Sequence, residues 1–166
     1  MVTDFKTKLE NANTLADIFE VIKAIVLKGL GKSRGGLMLG MANLGNHPEG
    51  VLGGFFTVGS NVIVMNKIPL QRISETRPEL YKPYAFHILL HEYIHSLGYL
   101  DEELVRSKVY QITKDALGED HLATKIAANT NDFMRDLIYP DAAWRADDTK
   151  LELEKDFDRS SVSYIA

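Results

Sequence analysis

The stretch from Pro83 to Leu100, PYAFHILLHEYIHSLGYL, decides how this chain can fold, because its many apolar residues predict a buried helix. Ionisable side chains interrupt the middle of that helix, at His87, His91, Glu92 and His95. A neutral polar group that is buried without a partner costs roughly 2–7 kcal/mol. The stretch therefore predicts either a bound metal ion or histidines held by hydrogen bonds, and the residue pattern favours the metal.

The spacing of these side chains is that of a metal site. His91 and His95 are four residues apart, so both rings leave the same face of a helix about one turn apart. Glu92 points roughly 100° away, toward a water molecule beside the two rings. The result is the HExxH pattern of zinc sites. His87 lies about 12 Å before His95 along the helix, so we expect it to support the site or the core and not to bind the same ion.

The residues that follow the pattern also suit a metal site. Gly98 can adopt a positive φ and end the helix sharply, so that the chain turns back beneath the two histidines. Asp101 follows six residues after His95 and is a candidate third ligand.

The run from His91 to Asp101 reads HExxHxxGxxD and resembles the zincin metallopeptidases, within them the metzincin-like branch and its snapalysin-like members. This resemblance implies a zinc ion held by His91, His95 and Asp101, with Glu92 as general base for the hydrolysis of peptide or protein substrates. The third ligand stays open, since a ligand from the following helix would look gluzincin-like. The other candidates are Glu102, Glu103 and, more remotely, His121.

The composition is that of one soluble globular unit. The chain has 166 residues, of which 45% are hydrophobic and 25% are charged. The absence of cysteine excludes disulfides and thiolate zinc ligands. A net charge of -4 argues against a strong grip on nucleic acid or an anionic membrane, and we expect Lys23, Lys28, Lys32 and Arg34 to form a solvated surface. The first residues lack the pattern of a signal peptide, which favours a cytoplasmic location.

The remaining patterns predict an α+β, zincin-like fold. A helix over residues 13–27 is followed by strands over residues 37–41, 51–58 and 61–66, the last two joined in a hairpin at Gly59 and Ser60. The strand at 61–66 is either an exposed edge strand along the substrate cleft or an ordinary internal strand. We expect residues 72–81 to form a loop or short helix before the metal-binding helix.

Helical patterns continue after the motif, over residues 101–117 and about 119–138. We therefore expect a catalytic domain over residues 1–140. From residue 141 onward the composition becomes acidic, which predicts a flexible or loosely docked tail over residues 141–166.

Two other functions remain open. Bacterial endoribonucleases that mature ribosomal RNA carry a similar HxxxHxxGxxH motif, but this chain has Asp101 in place of the third histidine and Glu92 where that family has a small residue. A non-catalytic protein with a structural zinc is the third possibility. Manganese, cobalt or iron could also occupy such a ligand set. The sequence does not indicate the oligomeric state.

Overall fold

A computed structural model describes residues 4–44, 53–135, 152–154 and 157–158, and these form an α+β structure. Its helices are α1 (Phe5–Asn11), α2 (Leu15–Leu30), α3 (Lys67–Thr76), α4 (Tyr81–Ser96), α5 (Glu102–Leu117), α6 (Leu122–Ala128) and α7 (Thr130–Arg135). Its strands are β1 (Met38–Ala42), β2 (Gly54–Phe56), β3 (Val62–Asn66) and β4 (Glu152–Leu153). None of the described helices is long and apolar enough to cross a membrane.

The strands form one mixed sheet in the order β2-β3-β1-β4. β1 and β3 are parallel, whereas β2 is antiparallel to β3 and β4 is antiparallel to β1. The predicted hairpin is confirmed, and its turn contains Gly59 at φ 89°. Of the two alternatives for residues 61–66, an exposed edge strand or an internal strand, the structure has the internal strand. β3 is internal because β1 pairs with its second side, and β2 forms the edge instead.

The helix predicted from residues 83–100 is confirmed as α4, and it is buried on nearly every side. It contacts α2, α5 and α6 as well as β2 and β3. Tyr84, Phe86, Leu89 and Tyr93 are completely buried along it. Such a helix is stabilised by its surroundings more than by its own sequence, because burial of each large apolar side chain contributes about 1.5–3 kcal/mol.

The chain leaves α4 through the sharp turn that the sequence predicts. Gly98 has a φ of 107°, a region that side chains rarely allow. Asp101 then caps α5, because its side chain accepts a hydrogen bond from the amide of Leu104 at 3.1 Å. This short connection places the first turn of α5 beside the last turn of α4.

Two helix predictions need correction. Residues 67–76 form the helix α3, which begins earlier than the loop or short helix predicted over residues 72–81, because the side chain of Asn66 caps its first turn at Ile68. The predicted helix over 119–138 is two shorter helices, α6 and α7, interrupted at Asn129, and residues 136–138 lie outside the described part. The side chain of His121 caps α6 by accepting from the amide of Ala123 at 3.0 Å.

Part of the predicted acidic tail packs on the body of the protein. Residues 152–153 form β4, and the ring of Phe157 stacks on Phe19 with 4.3 Å between centroids. Asp158 pairs with Lys23 and accepts a hydrogen bond from the amide of Leu37. The rest of the predicted tail lies outside the described residues, so its expected flexibility stays a prediction.

We predict that Phe157→Ala lowers the free energy of unfolding by about 3 kcal/mol, because truncation of a buried aromatic side chain leaves a cavity. Phe157 is 2% exposed, whereas Leu153 in the same segment is 51% exposed and provides the matched control. Leu153→Ala should change the unfolding free energy by less than about 1 kcal/mol. Urea unfolding of both variants measures the difference, and equal small effects would contradict the docking of this segment.

Candidate metal centre

The cluster begins with the two histidines that α4 places on one face. The rings of His91 and His95 are 4.9 Å apart between centroids, as the helical spacing predicts. The ring centroid of His87, one turn earlier, is 6.3 Å from that of His91, and the side chain of His87 is buried in the core.

A carboxylate from the first turn of α5 bridges these two rings. Oε1 of Glu102 is 2.7 Å from Nε2 of His91, and Oε2 is 2.9 Å from Nε2 of His95. One ligand atom from each of the three residues lies within 4.8 Å of the other two. The position of Glu102 at the N-terminus of α5 also favours its negative charge.

The expected third ligand, Asp101, does not join this group. Its carboxylate is directed at the amide of Leu104, where it caps α5. Glu102 follows it directly and, as the first residue of the helix, directs its side chain toward α4. The structure thus brings together His91, His95 and Glu102, one of the alternatives that the sequence left open. Of the remaining alternatives, Glu103 is exposed and His121 caps α6.

The hydrogen bonds of His95 indicate that a positive charge belongs in this cluster. Nδ1 of His95 is 2.8 Å from the carbonyl oxygen of Tyr99, which can only accept, so Nδ1 carries a proton. In a neutral ring Nε2 then has a lone pair, and that lone pair faces the carboxylate of Glu102. Two acceptors at this distance repel unless a proton or a metal cation lies between them. A backbone carbonyl that orients the far ring nitrogen is the usual support of a metal-binding histidine.

Burial disfavours the charged, doubly protonated form of His91. It lowers the pKa of the imidazole, and the positive character of His95 and Arg106 lowers it further, although the attraction of Glu102 opposes the change. Two imidazoles and one carboxylate are a donor set that suits zinc. The residues present therefore fit a bound divalent cation.

Glu92 lies beside the cluster in a different environment from Glu102. Burial raises the pKa of Glu92 to about 7, although His95 partly offsets the effect. Among the described residues, none donates a hydrogen bond to its carboxylate. In contrast, the pKa of Glu102 is lowered: burial alone would raise it, but His91 and His95 outweigh burial. A carboxyl group with a pKa near neutrality can accept and release a proton at physiological pH.

The cluster opens into a cleft of about 470 Å³ whose opposite wall is the edge strand β2. His91, Glu92, His95 and Glu102 form the polar side of this cleft. The other lining residues are mostly apolar, and three of them are exposed: Phe55, Val58 and Leu100. A partly open cleft with a few convergent polar groups is the usual form of a small-substrate or peptide site.

Two glycines let β2 lie directly against α4. A Cβ atom on Gly53 would be 2.6 Å from Cδ1 of Ile88, and one on Gly54 would be 3.1 Å from Cγ2 of Ile88 and 2.6 Å from the carbonyl oxygen of Val64 in β3. A larger residue at Gly54 would therefore clash with the backbone of β3 and crowd the helix. The narrow cleft therefore depends on this close approach.

His87 belongs to the core, one of the two roles that its spacing suggested. It is fully enclosed, and burial lowers its pKa to about 3, so the ring is neutral. Its Nε2 is 3.3 Å from Oγ1 of Thr130.

Arg34, which the sequence placed on a solvated surface, holds the cleft together. Its guanidinium donates to the carbonyl oxygens of Ser96, at the end of α4, and Ser60, in the β2–β3 turn, both at 2.8 Å. Its backbone amide donates to the hydroxyl of Tyr93. Arg34 thus ties the edge-strand hairpin to the helix of the two histidines. No sequence motif marks this contact, because it joins three distant segments.

No family model, curated protein or solved structure matches this chain. Its function must therefore be inferred from the residues of the cleft.

We predict that Glu102→Gln lowers the affinity for zinc by about 100-fold or more, because it removes the anionic ligand from the cluster. His91→Ala should do the same. Asp101→Ser retains a capping oxygen and should bind zinc as the wild type does. Glu103→Gln removes a neighbouring exposed carboxylate and is the matched control.

Competition with a chromophoric zinc chelator measures these affinities. Loss of zinc in Asp101→Ser, with Glu102→Gln unaffected, would restore Asp101 as the third ligand.

We also predict that Arg34→Ala lowers the free energy of unfolding by about 2 kcal/mol, because two carbonyl groups lose a charged donor. Arg34→Lys should recover only part of this loss, since one ammonium cannot reproduce the planar fork between two carbonyls. Arg77 makes only an exposed ion pair with Glu79, so Arg77→Ala should cost less than about 0.5 kcal/mol. An equal effect of Arg34→Ala and Arg77→Ala on urea unfolding would refute this role of Arg34.

Proposed function

We propose that this protein is a zinc-dependent metallopeptidase of zincin-like design, in which His91, His95 and Glu102 hold the metal and Glu92 is the general base. One observation carries the proposal: Glu92 lies in the same cleft as the three-residue cluster, and that cleft is bordered by an edge strand. With Glu102 and not Asp101 as the third ligand, the proposed ligand set follows the gluzincin-like pattern and not the snapalysin-like one.

The chemistry divides between the metal and the protein. A zinc ion held by His91, His95 and Glu102 would supply a Lewis acid that polarises a carbonyl and acidifies water. Glu92, which lines the cleft beside the cluster, would accept the proton of the attacking water and deliver it to the leaving amine. Tyr99 orients His95 through its carbonyl oxygen, so that Nε2 keeps its lone pair for the metal.

The edge strand gives the cleft a way to bind an extended peptide. β2 pairs with β3 on one side only, so within the described sheet its other side is free for main-chain hydrogen bonds. Such bonds bind a peptide backbone without regard to its sequence. The apolar side chains of Phe55, Val58 and Leu100 favour substrates with apolar side chains near the cleaved bond.

The same lining argues against the endoribonuclease. Neither lysine nor arginine is among the described residues that line the cleft, whereas binding of a polyphosphate backbone depends on such charges. A purely structural zinc is also disfavoured, because structural sites are closed by four protein ligands, whereas the cluster of three ligands among the described residues opens to the cleft.

We predict that Glu92→Gln reduces cleavage of an unfolded protein such as reduced casein by about 10²- to 10⁴-fold while zinc binding is retained, because only the proton transfer is removed. Glu103→Gln, a change of the same chemistry outside the cleft, should cleave at the wild-type rate. Quantification of new peptide ends by mass spectrometry, with zinc content measured on the same samples, provides the readout.

Equal cleavage by the wild type and Glu92→Gln would refute the role of Glu92. Cleavage of RNA by the wild type, lost in His91→Ala but retained in Glu92→Gln, would favour the endoribonuclease instead.

A further inference from the structure

A second cavity, of about 440 Å³, lies between α1, α2 and α5 and shares no lining residue with the cleft. Apolar side chains contribute much of its lining: Phe5, Ile25, Leu30, Ile112 and Ala116. Phe5, Ile25 and Ile112 are buried members of the core. The floor of the groove is therefore formed by the apolar core of the helical layer.

Gly29 leaves space on the α2 side of this groove. A Cβ atom there would make only ordinary contact with Cγ1 of Ile112, at 3.5 Å. Gly29 lies inside the helix α2, where glycine is less favourable than alanine by about 1 kcal/mol. A larger side chain at this position would fill the groove without a backbone clash.

The rim of the groove is positively charged. Lys28 and Lys108 line it directly. Nζ of Lys28 is 5.6 Å from the ring centroid of Phe5, and Nζ of Lys108 is 4.8 Å from that of Tyr99. Two further ammonium groups lie over the same rings, those of Lys8 at 5.9 Å and Lys32 at 4.6 Å.

These four lysines have no carboxylate partner within the described structure. By contrast, Lys23 and Arg34 of the same basic sequence segment are engaged with Asp158 and with backbone carbonyls. Among the described residues that line the groove, Asp115 is the one acidic residue, and its Oδ1 accepts a hydrogen bond from Gln111. The groove thus has two ammonium groups against one carboxylate, although the chain as a whole has a net charge of -4.

We propose that this groove is a binding site for a long-chain carboxylate, a molecule with an alkyl chain that ends in one anionic group. The alkyl chain lies against the floor of Phe5, Ile25 and Ile112, and the carboxylate is bound by Lys28 and Lys108. Burial of the alkyl chain provides the larger part of the affinity, and the two ammonium groups select an anion over a neutral molecule. The volume lies within the range of small-molecule sites.

Isothermal titration calorimetry of the full chain with decanoate tests the proposal. We expect one decanoate per chain, with binding weakened about tenfold by either Lys28→Ala or Lys108→Ala and weakened further at higher ionic strength. Decanol, which has the same alkyl chain without the charge, should bind about tenfold more weakly than decanoate. Lys125 is exposed on α6, and Lys125→Ala is the matched control that should bind as the wild type does.

A second variant tests the floor of the groove. Gly29→Leu should abolish decanoate binding while the helix is retained, since leucine is a better helix former than glycine. Binding unchanged in both Lys28→Ala and Gly29→Leu, or the absence of saturable binding by the wild type, would overturn the proposal. Urea unfolding of each variant verifies that the fold is intact.

His91→Ala distinguishes this site from the metal cluster, to which a carboxylate could also bind. Decanoate should bind this variant with wild-type affinity, because the groove does not include the cluster. Loss of binding in His91→Ala would place the ligand in the cleft and refute the groove. This inference is independent of the proposed peptidase activity.

Discussion

Burial of α4 on nearly all sides is the constraint on which the rest of the structure depends. Helices α2, α5 and α6 and the strands β2 and β3 all contact it. Its ionisable residues must therefore be neutral, bonded, or directed into the cleft, because an isolated buried charge is prohibitively costly. His87 is neutral, and His91, Glu92 and His95 are directed into the cleft. The chemistry of the protein is concentrated where the core opens.

Four local features keep the walls of that opening close together. Gly54 lets β2 approach α4, and Arg34 ties the β2–β3 turn to the end of the same helix. On the other side, the turn at Gly98 and the cap at Asp101 bring α5 close enough for Glu102 to reach both histidines. Each contact joins the cleft to a helix or strand and not to a long loop, which favours a fixed geometry at the cluster.

The two glutamates of the cleft illustrate how environment assigns different roles to one residue type. Glu92 is enclosed without a hydrogen bond from a described residue, and its pKa rises to about 7. Glu102 is half exposed and bonded to two imidazoles, so its pKa falls. One is suited to exchange a proton, and the other is suited to remain an anion beside a cation. Divergence of this kind between neighbouring carboxyl groups is typical of acid–base sites.

The sequence by itself determined what depends on local spacing. The apolar run of residues 83–100 fixed α4, the four-residue interval set His91 and His95 on one face, and Gly98 provided the turn that follows. The hairpin of β2 and β3 was equally readable from alternating residues and its glycine turn.

Only the tertiary structure decided which of two adjacent acidic residues joins the histidines, which strand forms the edge, and which distant residues contact each other. Asp101 and Glu102 are adjacent and both acidic, and the direction of α5 made the first a helix cap and the second the partner of both histidines. The strand order made β2 the edge, and Arg34 acquired its role from segments about 26 and 62 residues away. Such choices escape sequence patterns because helix and strand periodicities describe one element, whereas the cleft is formed by the packing of several.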